Sequence, residues 1–266
     1  MISNKLFACN NSSVRPLILQ SEIPIFDNMI LIPDRFKSVR IDVGLSVNAP
    51  QSQIWLDKDS ELLVFGFEPV SANLKSIKSG VSSWPVNLDP TRINNSIYII
   101  NCALLEKALD DGKIIYVTKN DPGCSSVLKP KNFEVAYEEK VNVSTLNTFL
   151  DYFPFTQIPY ISHLKIDVQG ADIQVIEGAT NYLSKIMAIT AEVDTNEYSG
   201  TRNSLQNISD LLKPHGFVLC KKDILSRILL RLKGIRVKNE TDDPTFINIA
   251  LYKKHKPTNF WVYQRG

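Results

Sequence analysis

The chain has 266 residues, 44% hydrophobic and 22% charged, with 30 Lys+Arg against 28 Asp+Glu for a net charge of +2. That length suits one large domain or one domain with an appendage, and the composition excludes wholesale disorder and fibrous repeats. The near balance of charge gives no electrostatic case for a nucleic-acid binder, and no run of about 18 uncharged apolar residues is present to span a membrane.

In chain order, residues 1–37 form a Pro-punctuated leader, expected to be an arm or cap on a domain of residues 38–266. The leader is polar by Asn10 and lacks the apolar core of a signal peptide, so a cytoplasmic location is expected. SVRIDVG (38–44), ELLVFGFEP (61–69) and IYIINCAL (97–104) are short, nearly continuous apolar runs rich in β-branched and aromatic residues, the pattern of strands buried on both faces. Residues 105–145 break the rhythm and predict one or two inserted antiparallel hairpins. HLKIDVQG (163–170) and MAITAEVD (187–194) resume the strand pattern. Between them Ala171 to Lys185 predicts one helix, with Ile173, Ile176, Ala179 and Leu183 on a single stripe. Ser204 to Lys213 predicts a second helix, stopped by Pro214 and Gly216. FVLCKK (217–222) and TFINIALYKK (245–254) predict two final strands, the latter with the polar alternation of an edge. Strands alternating with helices mean an α/β sheet with right-handed crossovers.

Residues 221–243 also stand apart. Lys221, Lys222, Arg227, Arg231, Lys233, Arg236 and Lys238 face only one acid, Asp223, up to residue 238. The segment predicts a basic amphipathic helix. A solvated helix packing its leucines on the core is the simplest account, and a gate for an acidic substrate or contact with a membrane surface are the functional alternatives. The four cysteines, Cys9, Cys102, Cys124 and Cys220, form no CxxC pair. Buried small hydrophobes explain them better than a zinc or thioredoxin site, and no metal is expected.

In open α/β sheets ligands bind beyond the carboxyl ends of the strands. There the sequence offers Asp42 and Gly44, Glu68 and Pro69, Asn101 and Ala103, Asp167 and Gly170, and Glu192 and Asp194. A single carboxylate at a strand end is explained as a helix N-cap, but four along one rim point to a polar ligand with hydroxyls and a positive charge. Glu68 lies 24 residues after Gly44, near the spacing of about 20 that sets an acid on a nucleoside ribose. A carboxylate suits that task because it can accept from both ribose hydroxyls. The first loop, GLSVNAPQS, is not G-x-G-x-x-G, so it lacks the glycines that let backbone approach a pyrophosphate. A nucleoside without a diphosphate fits better than NAD or FAD, and S-adenosylmethionine, with its sulfonium cation, is the expected cofactor.

IDVG (41–44), FEP (67–69), VSTLNTFL (143–150) and above all LKIDVQGADIQVIEGA (164–179) resemble the FkbM-type S-adenosylmethionine-dependent methyltransferases, over about Val39 to Val193. The resemblance implies a class I methyltransferase (Rossmann-like) fold: a mostly parallel seven-stranded sheet with helices on both faces and its last strand antiparallel. It implies O-methyl transfer to a hydroxyl of a small molecule or glycan. Carried over by position, it puts Asp42, Gly44, Leu45 and Ser46 in the loop near the methionine part of the cofactor and Glu68, followed by Pro69, on the ribose. Asn101 and Ala103 would flank the adenine, and Asp167 would stand at the boundary of cofactor and acceptor. Ser125 and Ser126 match a serine-containing segment of the inserted hairpin.

The chain departs from the family's D-V-G-A-N-x-G. Asn48 stands where the second glycine is expected, and Asn is the residue after Gly most tolerant of a left-handed conformation. Leu45 and Pro50 make the loop bulkier and stiffer, and Gln169 replaces the common glutamate. For chemistry, Asp167 is the expected base for a hydroxyl acceptor, with His163 behind it and Lys165 as its partner or orienter. A satisfied histidine and a structural ion pair are the competing accounts of His163 and Lys165. Competing functions are an inactive nucleoside-binding or interaction module on the same fold and, less well supported, an NAD-dependent oxidoreductase. Neither G-x-S-x-G nor a Walker A loop is present, which disfavours hydrolase and phosphotransferase chemistry.

Overall fold

The computed structural model describes residues 17–18, 20–193, 196–220 and 243–255. The first part of the leader, Asp194 and the basic segment 221–242 therefore lie outside the described residues.

One sheet dominates. Its strands are β3 (Ser38–Val43), β4 (Leu62–Phe67), β5 (Ile97–Ile100), β9 (His163–Ile166), β10 (Ala188–Ala191), β11 (Phe217–Leu219) and β12 (Thr245–Asn248). They run in the order β11-β12-β10-β9-β3-β4-β5. The pairs from β10 to β5 are parallel, while β12 is antiparallel to both neighbours. This is the mostly parallel seven-stranded sheet with its last strand antiparallel, the class I methyltransferase sheet that the resemblance implies. From β3 the chain winds outward through β4 to β5, then returns to β9 on the other side of β3. The point of reversal between β3 and β9 is the switch point where such sheets bind ligands.

The two faces of the sheet differ. Val39, Ile41, Val43, Leu63, Phe65, Phe67, Leu164 and Ile166 alternate onto one face and join the main core with Phe149 and Phe153. On the other face, Leu62, Val64, Ile97 and Ile99 pack with Trp55 and Ile77 from helices α1 (Pro50–Lys58) and α2 (Ser71–Ser79). Toward β12 that second face turns polar: Arg40 and Asp42 pair in register with His163 and Lys165, Lys165 with Thr190, and Thr190 with Thr245.

Smaller elements are attached to this frame. In the leader, Ile25–Phe26 (β1) and Met29–Ile30 (β2) form a hairpin, and Ile18, Ile23, Ile30 and Phe36 enter the main core. The insertion is one hairpin, β7 (Leu109–Thr118) with β8 (Val135–Ser144), to which β6 (Ala103–Leu104) adds in parallel. The apolar run 97–104 therefore divides between two sheets, with Asn101 exposed at the divide. Short α3 (Leu146–Leu150) follows the hairpin.

Two expectations about elements are corrected. The helix expected over 171–185 is α4 (Asp172–Glu177) followed by a 3-10 turn, Thr180–Lys185. It breaks at Gly178, where the Leu105 carbonyl oxygen lies 2.2 Å from where a Cβ would stand. The stripe Ile173, Ile176, Ala179 and Leu183 is nonetheless buried throughout. Helix α5 (Leu205–Leu212) is capped by Ser204 and runs into a 3-10 turn, Lys213–His215, that ends at left-handed Gly216, φ +82. The second correction concerns the last strand, which is no edge: β12 lies between β10 and β11, and only Thr245–Asn248 is extended. Asn248 accepts from Leu251 N at 3.2 Å and turns the chain into α6 (Ile249–His255).

Candidate active site

A cavity of about 530 Å3 opens at the carboxyl ends of β3, β4 and β9. Gly44 and Ser46 line it from the loop after β3, Glu68 to Val70 from β4, and Asp167 to Gln169 from β9. Asp121 to Val127 of the hairpin and Trp84 to Val86 complete its walls.

The first loop is built on backbone geometry. Gly44 has φ +83, and a Cβ there would lie 1.9 Å from the Asp167 carbonyl oxygen, so no other residue fits between β3 and β9. Ser46 and Ala49 also take left-handed conformations, at φ 59 and 45. Asn48 does not; its side-chain amide instead donates to Val86 O at 2.6 Å. The expectation that Asn48 supplies a left-handed turn is thus corrected. Pro50 begins α1 at the position where its fixed φ favours a helix start. Leu45, expected beside the cofactor, folds away from the cavity to 1% exposure and packs over Gly66, whose missing side chain makes room for it.

Glu68 ties two loops together. Its Oε2 accepts from Ser46 N at 3.0 Å, and its Oε1 accepts from Val70 N at 2.9 Å and from Asn73 Nδ2 at 3.1 Å. Burial pushes its carboxyl up to about 7, although each of these donors pulls the other way. Asn73, on α2, also lines the cavity and is buried, and its Oδ1 has no hydrogen-bond partner.

Asp167 faces the other end of the cavity. Its Oδ2 is 3.3 Å from Lys165 Nζ, and its Oδ1 accepts from Gln169 Nε2 at 2.7 Å. The same Gln169 amide donates to Glu192 Oε2 at 3.0 Å. A glutamate at this position would face two other carboxylates, so the amide is what allows Asp167 and Glu192 to share one neighbour. Glu192 is pushed up by burial and by Asp167 and Asp172, and Asp172 is raised to about 7 by burial. Asp172 is committed to Glu192 N and Asn203 Nδ2.

The hairpin closes over both halves. A Cβ on Gly123 would come 2.7 Å from Ser46 Oγ, so the tip rests on the first loop. Ser126 Oγ donates to Gln169 O at 2.7 Å, and Tyr198 OH lies 2.7 Å from Cys124 O and 2.8 Å from Gln169 Oε1. Cys102 and Cys124 line the cavity, but burial raises both thiols to about 12, aided at Cys124 by Asp121. Neither is a thiolate nucleophile near neutral pH.

Residues 51–219 match the model of the family described as "Methyltransferase FkbM domain". The chain belongs to the FkbM methyltransferase family. FEP, VSTLNTFL and the KIDVQG block all fall within the match, whereas IDVG stands just before it. No curated protein matches the sequence. Among solved structures, similarity extends to a protein from Clostridium thermocellum provisionally assigned as an rRNA-methylase, at 8% identity and a TM-score of 0.40, covering 93% of this chain and 97% of that one. It extends also to an antibiotic-related methyltransferase, at 12% identity, TM-score 0.34 and coverage of 80% and 88%. A third is the 30S ribosomal A1408 methyltransferase from an uncultured bacterium, at 10% identity, TM-score 0.30 and coverage of 85% and 98%.

Within this FkbM domain, Gly44, Ser46, Glu68, Pro69, Ala103 and Asp167 of the expected site line the cavity. Asp42, Leu45, Asn101, His163 and Lys165 are not among its lining residues. Asn101 is exposed because β5 ends one residue earlier. Asp42 is buried beneath the loop, where it accepts from Ser52 Oγ at 2.6 Å and pairs with Lys165 at 3.3 Å. Lys165 also donates to Gly44 O at 2.9 Å, so it positions the loop and Asp167. His163 begins β9, at the amino end of the sheet. Its Nε2 meets Thr190 Oγ1 at 2.9 Å and its ring packs on Trp55. Burial and Arg40 hold it down at about 3, which makes it a neutral structural group and not a base. Trp84, an aromatic that the sequence offers for an acceptor pocket, lines the cavity, whereas Asn73, Tyr198 and the bridge made by Gln169 are not legible in the sequence. Asn73 alone had a signal, lying five residues after Glu68 on the next helix.

Proposed function

We propose that this FkbM domain is an S-adenosylmethionine-dependent O-methyltransferase acting on a hydroxyl of a small molecule or glycan. The observation that carries the reading is the buried Glu68 carboxylate beside a glycine-tight first loop at the switch point of the sheet. The cavity volume lies within the usual range for such ligands. Gly44 lets the first loop close against the Asp167 backbone, and Gly44, Ser46, Glu68 and Asp167 all line the cavity. These features fit an adenosyl group, and one glycine in the loop does not fit a pyrophosphate.

When bound, S-adenosylmethionine supplies an electrophilic methyl group on a sulfonium. Glu68 and Ser46 would hold its ribose end, Asn73 would orient Glu68, and Asp167 would lie toward the reacting end. Alignment of the acceptor oxygen for in-line attack is the main task of the site. The methyl–sulfur bond would break as the acceptor oxygen takes the methyl group, and the acceptor's hydroxyl proton would pass to an Asp167 carboxylate oxygen, kept in place by Lys165 and Gln169. The hairpin tip (Asp121–Ser126) and the leader are the elements that would choose the acceptor. Among the described residues no helix is long and apolar enough to cross a membrane.

Thermal unfolding with S-adenosylmethionine, S-adenosylhomocysteine and NAD in parallel tests the reading. A ligand at about 100 times its dissociation constant stabilises by about 2.7 kcal/mol, and the midpoint should rise by roughly 5–10 °C with the adenosyl ligands alone. A rise with NAD alone would establish the oxidoreductase alternative; no rise with any ligand would favour an interaction module. Asp167→Asn should abolish turnover while leaving S-adenosylhomocysteine bound, and turnover near the wild-type rate would remove Asp167 from the reaction.

A further inference from the structure

Tyr198 takes no part in the chemistry proposed above, yet it touches two groups that shape the reacting end of the cavity. Its hydroxyl lies 2.8 Å from Gln169 Oε1 and 2.7 Å from the Cys124 carbonyl oxygen of the hairpin tip. A phenol carries one proton, and both neighbours are acceptors, so amide and tip share one donor. Tyr198 is 1% exposed, its ring stacks on Phe133 of the hairpin loop with centroids 5.9 Å apart, and its backbone bridges Pro130. On either side of it Lys131 N donates to Glu197 O at 2.8 Å and Ser199 N to Lys129 O at 2.9 Å. The hairpin therefore sets where this hydroxyl stands.

Gln169 is where that position is felt. Its backbone is left-handed, φ 57, a conformation that a residue other than glycine keeps only when its surroundings fix it. Gly170 follows at φ +90, and a Cβ there would lie 3.0 Å from the Tyr198 ring, so the ring rests directly on the turn. Both Nε2 hydrogens are spent, on Asp167 Oδ1 at 2.7 Å and Glu192 Oε2 at 3.0 Å. The two ends of a carboxamide are close in size but opposite in hydrogen-bonding character, so shape alone does not decide which end meets Asp167. The donor at the far end decides it: Tyr198 takes the oxygen and turns the amino end toward the carboxylate, whose other oxygen is 3.3 Å from Lys165 Nζ.

We infer that Tyr198 is a positioning residue for Asp167, acting through the Gln169 amide, and that the docked hairpin tip and the alignment of Asp167 are two ends of one hydrogen-bonded unit. The inference rests on the role proposed above for Asp167 at the reacting end. It ties the segment proposed to choose the acceptor to the group proposed to take the acceptor's proton.

The test compares the affinities of the whole chain for S-adenosylmethionine and S-adenosylhomocysteine by calorimetry. The two ligands differ at the reacting end alone, by a methyl group and the sulfonium charge. Their affinity ratio therefore reports the Asp167 carboxylate, whereas a general loosening of the site lowers both affinities together. Asp167→Asn should shift the ratio against S-adenosylmethionine by about fivefold, the worth of one partly exposed charge contact. Tyr198→Phe keeps the ring and removes only the hydroxyl, and it should shift the ratio the same way by about twofold to threefold. Gln169→Met, which removes both ends of the amide, should do at least as much. In the Asp167→Asn background, Tyr198→Phe should leave the ratio unchanged, because the group it aligns is gone. A ratio that Asp167→Asn shifts but Tyr198→Phe and Gln169→Met leave unmoved overturns the inference, with the role of Asp167 intact. If Asp167→Asn itself leaves the ratio unmoved, the role of Asp167 fails and the inference with it. If the wild type binds neither ligand, both fall with the cofactor assignment.

Discussion

Two sets of buried polar side chains lie on the same strands, and only one of them meets a cavity. At the amino half of β3 and β9, Arg40 stacks over Trp55 with its guanidinium carbon 5.0 Å from the ring, and His163 bonds Thr190 at 2.9 Å. At the carboxyl end, Gly44 and Asp167 face open space that Glu68 and Asn73 also line. Each set holds a buried titratable group, His163 in one and Glu68 in the other. They differ in position along the strand: Trp55 of α1 packs on Arg40 and His163, whereas the strand ends at the switch point line the cavity. Alternation puts His163, Lys165 and Asp167 on one face, but the distance along the strand from His163 to Asp167 is enough to separate a group packed in the core from one that lines the cavity.

Lys165 joins the two sets, and breaking it is the strongest way to test their difference. Lys165→Met removes the cation between Asp42, 1% exposed, and Asp167. The loss should be about 3–5 kcal/mol, measured by urea unfolding; a loss below about 1 kcal/mol would mean the carboxylates are held by other groups. Gly44→Ala comes next. Its Cβ has nowhere to go but the Asp167 backbone, at a φ of +83, so it should cost about 2–3 kcal/mol. Calorimetry should find S-adenosylhomocysteine affinity abolished.

Protonation sharpens the comparison. Glu68 titrates in the folded protein at about 7 against an ordinary value of 4.5. Its ionised form is the acceptor for a hydroxyl, so affinity for S-adenosylhomocysteine should rise by up to roughly tenfold from pH 6 to 8, and Glu68→Gln should flatten the profile. Because the folded value is raised, the stability Glu68 contributes is fully present below 4.5 and is lost as pH rises through 7. Asp172 and Glu192, also raised, act in the same direction. The ligand-free melting point should accordingly fall between pH 6.5 and 9. His163 acts oppositely and elsewhere: with its folded value lowered to about 3, its contribution is present above 6.5 and lost as pH drops toward 3. His163→Gln should have the smallest effect, about 1 kcal/mol, with the pH profile of turnover unmoved. A shifted profile would return His163 to the mechanism.

The parts of the fold readable from sequence were those written in short-range pattern. Apolar runs marked β3, β4, β9 and β10, and Ser204, Pro214 and Gly216 bracketed α5. What escaped was set by packing between distant segments. Gly178 interrupts a good helical stripe because Leu105 approaches it, and Asn248 starts a helix where the alternation suggested continued strand. The site divides in the same way. Gly44, Glu68 and Asp167 could be placed on the rim of the cavity because strand ends are visible in the sequence. Asn101 failed by one residue of strand length, and Leu45 failed because the space it fills is created by Gly66, 21 residues away. The bridges of Gln169 and Tyr198 depend on the hairpin tip, which no spacing along the chain announces.

The contact between Gly178 and Leu105 bears on how this family can be recombined. The root of the hairpin presses its backbone into the end of α4, at the one position where that helix has no side chain. Asn147 N, just beyond β8, donates to Gly178 O at 2.6 Å from the other side. The hairpin is therefore keyed into the domain at both of its roots. Exchanging it for that of a relative, to alter acceptor choice, will succeed only in hosts that carry a glycine at this notch, and transplants into hosts with a larger residue there should fail in folding before any question of activity arises.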